Sequence, residues 1–114
     1  MKTLSHAFAQ EWQLAQAARR AADLGRAFHH LERAHILGQR RTWLHVKCHL
    51  GMLQVGWQRR DSREVVGQLA RIAAAAAFSR IWVPVGNTGG ANVSATKPMP
   101  VPADLQAQLN ESGE

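Results

Sequence analysis

Apolar residues recur every three or four positions from Leu4 through Ala7, Phe8, Ala15 and Ala18 to Ala22, the interval at which one face of an α-helix returns. This predicts a first helix over about 4–22. Asp23-Leu24-Gly25 interrupts the pattern, and Ala27, Leu31 and Ala34 restart it over about Arg26 to Leu37, with Gly38 expected to close the helix as a C-terminal cap. Thr42 is expected to cap a third helix that runs to about Arg59. Asp61 and Ser62, followed by Glu64, have the residue types of a helix start and open a fourth, which carries Val65, Val66, Leu69 and Ile72 to about Ala77. The short connections make consecutive helices antiparallel.

Two of these segments resemble each other. Asp23-Leu24-Gly25-Arg26-Ala27 leading to Leu31, Arg33 and Ala34 aligns with Asp61-Ser62-Arg63-Glu64-Val65 leading to Leu69, Arg71 and Ile72. The predicted fold is therefore all-α, a tetratricopeptide-like pair of helix hairpins. With only about two units, a compact four-helix arrangement is expected over an open superhelix, which needs three or more repeats to bury a continuous core.

After Phe78 the pattern stops. Ile81-Trp82-Val83-Pro84-Val85, the glycine-rich Gly86 to Ala95 and the proline-rich Lys97 to Pro102 predict extended chain and turns, because proline removes backbone donors and glycine opens left-handed conformations. One domain is expected over 1–114: a helical core over about 4–77, a wrapping segment over about 78–102 and a short helix over about 103–109.

Composition narrows the class of partner. The chain has 114 residues, fourteen Lys and Arg against eight Asp and Glu, and one cysteine, Cys48. A single cysteine excludes an internal disulfide framework and any multi-cysteine zinc motif. No apolar run is long enough to span a bilayer, and the opening Met1-Lys2-Thr3 has no signal-peptide order, so a cytoplasmic location without membrane insertion is expected. The positive charge falls in pairs near predicted helix ends, Arg19-Arg20, Arg40-Arg41 and Arg59-Arg60, where cations complement the helix dipole; this argues against a nucleic-acid stripe. Four tryptophans, Trp12, Trp43, Trp57 and Trp82, supply core or interface anchors and permit a protein partner or a homodimer.

The candidate chemistry sits where polar residues break the apolar faces. Glu11 falls near the centre of the first helix's stripe, and a carboxylate there must be protonated, ion-paired or metal-bound. His35 falls beside the apolar face of the second helix, whereas His29, His30 and Arg33 fall toward solvent. His45 and His49 lie four apart on the third helix, within a face defined by Val46, Met52, Leu53 and Trp57, so their imidazoles can meet at one point. Glu11, His35, His45 and His49 thus form the expected ligand set for a divalent transition metal such as zinc, copper, nickel, cobalt or iron. Glu32, three residues before His35, is a reserve ligand, while Cys48 points elsewhere on the helical wheel.

This reading favours a small metal-binding protein, a chaperone, buffer or accessory to metal resistance, over a catalyst. Two alternatives remain open: a tetratricopeptide-like adaptor that uses its helix groove and the Pro98 to Pro102 segment, and a metal-dependent enzyme with Glu11 as base. Gly86-Asn87-Thr88-Gly89-Gly90 lacks the lysine and spacing of phosphate-binding loops. It is expected to pack across the bundle through the side chains of Asn87, Thr88, Asn92 and Ser94, or to cover the histidines.

The segments His29-His30-Leu31-Glu32-Arg33-Ala34-His35-Ile36-Leu37-Gly38-Gln39 and Gly86 to Ser94, with Pro98-Met99-Pro100, resemble the bacterial domain-of-unknown-function family 3703 over nearly the whole chain. The resemblance implies a small cytoplasmic bacterial protein with relatives near heavy-metal efflux genes. Glu11, His35, His45 and His49 match positions of the family pattern, to which it attaches no role.

Overall fold

The computed structural model describes residues 3–78, 86–94 and 97–112, and these form five helices with no strand among them. They are α1 (Leu4–Arg20), α2 (Leu24–Gly38), α3 (Thr42–Gln58), α4 (Ser62–Phe78) and α5 (Ala103–Ser112). The all-α architecture and the helix-hairpin pattern follow the expectation, with α5 present as the short C-terminal helix. The extended run expected over 81–85, which includes Trp82, lies outside the described residues.

The local starts and stops have simple causes. Thr3 accepts the His6 amide at 3.1 Å to cap α1, Asp23 accepts the Arg26 amide at 3.2 Å to cap α2, and Asp61 accepts the Glu64 amide at 3.1 Å to open α4. The internal repeat is visible in the turns. Ala22 and Arg60 adopt left-handed φ of 60° and 58°, and the next amides, of Asp23 and Asp61, reach back to the carbonyls of Ala18 and Gly56, each at 2.9 Å. Each hairpin therefore closes with the same backbone turn and the same aspartate cap.

Two predicted caps differ. Thr42 is the first residue of α3 and not its cap; Arg41 precedes it in extended conformation without a capping side chain. Gly38 is the last helical residue, followed by Gln39 still in right-handed conformation. Its lack of a side chain serves packing, since a Cβ there would stand 2.8 Å from Leu44 Cβ and 3.0 Å from the Phe8 ring.

Each of the first four helices packs mainly on its neighbour in sequence, while α5 rests on α1 and α2. Ala15, Ala18, Ala27, Phe28, Leu31, Met52 and Val55 bury the interior of α1, α2 and α3. Phe8, Ala34 and Cys48 continue it, and Leu4, Ala7, Ile36, Leu37 and Leu105 seat α5. The face of α3 is turned from the expected one. Cys48, His49, Met52 and Val55 point inward, Val46 and Leu53 are half-buried, and Trp57 lies outside.

The glycine-rich loop is pinned at its start. Gly86 has φ of +79°, and a Cβ there would lie 1.8 Å from the Met99 carbonyl oxygen. Backbone cannot move aside as a side-chain tip can. Gly86→Ala is therefore expected to cost about 3 kcal/mol, from left-handed strain plus overpacking, read as a lowered urea midpoint at unchanged m-value.

Candidate metal centre

Helix periodicity puts His45 and His49 one turn apart on α3, and the packing of α2 against α3 brings His35 to meet them. The three ring centroids form a triangle with every side 4.8 Å. One nitrogen from each ring lies within 4.8 Å of the others. His35 and His49 are buried and His45 is half-buried, so any approach from solvent is on the His45 side.

Hydrogen bonds fix which nitrogens of His35 and His49 carry the proton. His35 Nδ1 is 2.7 Å from the Asn87 carbonyl oxygen. A carbonyl only accepts, so Nδ1 carries the proton and Nε2 keeps its lone pair. His49 Nδ1 is 2.6 Å from Gln68 Oε1. The amide orientation follows from its other end, where Gln68 Nε2 donates to Glu64 Oε2 at 2.5 Å and to the Gly89 carbonyl at 3.0 Å. Gln68 thus presents oxygen to His49, which donates through Nδ1 and also leaves Nε2 free. His45 Nδ1 is buried without a hydrogen-bond partner.

The residues behind the imidazoles form a second layer. Gln68 is fully buried on α4, and Glu64, one turn earlier, accepts the Ala91 amide at 3.1 Å and so ties α4 to the loop. Asn87 donates from Nδ2 to the carbonyls of Ser94 and Lys97, both at 2.7 Å, and accepts the Gly89 amide at 2.9 Å. These bonds hold the Asn87 carbonyl on His35. Gly89, at φ +84°, lies flat against the ring: a Cβ would stand 2.7 Å from His35 Nε2. Of the side chains expected to satisfy backbone groups, Asn87 does so within the loop, whereas Thr88 Oγ1 is buried with no backbone partner; the Asn87 carbonyl and Gly89 lay the loop over the cluster.

Burial keeps the rings neutral. Burial, with help from the neighbouring His49 and His45, holds His35 well below the usual imidazole range. Burial lowers His45 to about 4, and burial together with His45 lowers His49 to about 4. All three are neutral at pH 7, the state in which imidazole is a metal ligand.

Glu11 does not join them. It is buried on α1, as the sequence suggested, but its carboxylate accepts His30 Nδ1 at 2.7 Å and Arg33 Nε at 2.8 Å. The same arginine also pairs with Asp104 of α5. His30 and Arg33 are accordingly half-buried instead of pointing to solvent. The acid thus found an ion-pair solution to its burial, and the expected four-residue set reduces to three imidazoles among the described residues. Glu32 is also outside the group; burial and the nearby Glu64 carboxylate raise its pKa. Cys48 packs with Phe8 and Ala34, and burial pushes its thiol far up, which leaves it an inert apolar side chain.

Gln68 was absent from the sequence reading. Its signal was available: Glu64, Gln68 and Arg71 recur at helical spacing and make one polar stripe on an otherwise apolar helix. Gln68→Leu should lower the affinity for added Zn(II) by roughly 10–100-fold, as for other residues that orient a ligating imidazole. Competition with a chromophoric chelator measures it, and circular dichroism checks that the helices remain.

A family model described as Protein of unknown function (DUF3703) matches residues 2–109. No curated protein and no solved structure matches the chain.

Proposed function

Since the chain belongs to the DUF3703 family, whose function is unknown, we propose from the site itself that this is a small transition-metal-binding protein that carries or buffers one ion on His35, His45 and His49. One observation carries the reading: three neutral imidazoles converge, and two of them are oriented by hydrogen bonds to Asn87 and Gln68 that leave their Nε2 lone pairs free. Satisfied core histidines need no third ring at their open nitrogens. Metal-binding histidines show this outer layer of carbonyl and amide acceptors as a rule.

Three nitrogen ligands suit zinc, cobalt, nickel, copper or iron, and leave a coordination position for water or for a group offered by the next protein in line. A tetrahedral ion with bonds of about 2.0–2.1 Å needs nitrogens about 3.4 Å apart, so binding draws the rings together by up to about 1.4 Å from their widest separation. Transport or buffering fits this set better than catalysis, because Glu11, the base of the enzyme alternative, is occupied by His30 and Arg33.

The test is elemental analysis of protein purified without an affinity tag, followed by titration with Co(II). About one metal per chain and the intense visible bands of a tetrahedral Co(II) complex are expected. Protein that is metal-free and binds none of Zn(II), Co(II), Ni(II) or Cu(II) would overturn the reading and favour the adaptor alternative.

A further inference from the structure

The first half of helix α4 is inverted, although Ala75 further along is buried. Its inner face carries Glu64 at 8% exposure and Gln68 at 0%, while Val66 at 65% and Leu69 at 54% face solvent. The polar inner face is explained by its bond to His49, but nothing in the site requires an apolar outer one. Trp57, 75% exposed at the end of α3, adjoins it. Leu53, Trp57, Val65 and Leu69 line one depression together with Arg19, and Trp57, Val65 and Val66 line a second with Arg60. The two adjoin at Trp57 and Val65 and together mark a grooved outer surface of α3 and α4.

The lining is net cationic, with Arg19 and Arg60 against one carboxylate. Among the described residues Arg19 donates to the side-chain oxygens of Gln16 and Gln58, and no ion pair there includes Arg19 or Arg60. That carboxylate, Asp61, is fixed at the start of α4, where it accepts the Glu64 amide. A second copy of this chain would oppose its own arginine rim, and the chain already carries a net charge of +6. We propose that the α3–α4 groove docks an acidic amphipathic helix of another protein. Its apolar side lies on Trp57, Val66 and Leu69, and its carboxylates meet Arg19 and Arg60. A charged rim governs partner choice and association rate, whereas the apolar floor supplies most of the affinity.

Two synthetic peptides of about 18 residues, matched to the length of α4, test this on the full chain. Both carry leucine at helical spacing; one has glutamate at the remaining positions and the other lysine. Fluorescence anisotropy should show the glutamate peptide binding at least about tenfold tighter than the lysine peptide, with the difference shrinking as salt rises from about 50 to about 500 mM. Arg19→Glu with Arg60→Glu should reverse the preference. Val66→Ser, at a site too exposed to affect folding, should weaken binding of either peptide about tenfold. Equal binding of the two peptides, or none, overturns the proposal. So does sedimentation as a dimer that Val66→Ser dissolves, which would give the face to a second copy.

Discussion

Replacing His45 and His49 together by alanine is expected to abolish stoichiometric metal binding while leaving the helices in place. Two of three ligands are lost, and a single imidazole holds a divalent ion only weakly, so the affinity for Zn(II) should fall by more than about a thousandfold. The fold should survive because His45 is half-buried and the interior of α3 rests on Cys48, Met52 and Val55. The alanines leave a cavity beside His35 and strand Gln68 Oε1, at a cost of about 2–4 kcal/mol. The readout is metal per chain by elemental analysis beside helicity by circular dichroism. Retention of one tightly held metal with intact helicity would remove His45 and His49 from the site. Replacing Glu11 by glutamine supplies the contrast. It should leave metal content unchanged and lower stability, because Glu11 serves His30 and Arg33 on the other side of α2.

The second large effect is on pH. In the unfolded chain each of the three histidines takes up a proton near its ordinary value of about 6.5, whereas in the folded protein His45 and His49 resist until about 4 and burial holds His35 well below its ordinary value. Between those limits the unfolded state binds more protons, so stability is present above about 6.5 and lost as the pH falls toward 4. For His49 alone, a displacement of this size corresponds to about 3 kcal/mol. His45 adds less per unit because more of it meets water. Glu32 works in the opposite sense, since its raised pKa favours the folded state as it protonates. It is one group against three.

Against a total stability of about 5–15 kcal/mol, the metal-free protein should unfold in acid with a midpoint near pH 4–5. Urea midpoints between pH 7 and 4.5 measure the slope, and the His45→Ala, His49→Ala variant should flatten it. Bound Zn(II) should move the transition to lower pH, because the ion holds the rings in their deprotonated form. A slope unchanged in the variant would show that the histidines do not control acid stability.

The candidate site was legible in parts that differ in kind. The pair on α3 needed only the helical period. His35 needed the apolar face of α2, on which Ala27, Leu31 and Ala34 placed it correctly. Glu11 was correctly read as buried, but its partner was not. A buried acid is satisfied by whichever base comes within reach, and the rotation of α1 against α2 brought His30 and Arg33 instead of the imidazole cluster. His30 and Arg33 had been assigned to solvent because a helical wheel shows the angle of a residue and not what a neighbouring helix lays over it. The same limit applies to Trp57 and to the apolar stripe of α4. Periodicity alone does not say which face of α4 turns inward, and the packing places Glu64 and Gln68 there.

What the sequence determined by itself is local. Helix positions, the paired aspartate-capped turns at Asp23 and Asp61, the register of His45 with His49 and the irregular character of the glycine-rich segment all follow from short-range backbone and side-chain preferences. Tertiary structure decided which polar groups meet. It placed the Asn87 carbonyl on His35 across 52 residues and Gln68 on His49 across 19. It also gave Glu11 to Arg33. The physical reason is that a buried polar group must be paired somewhere, while pairing depends on how helices rotate and approach one another, which is settled by the sum of many apolar contacts and by no single spacing along the chain.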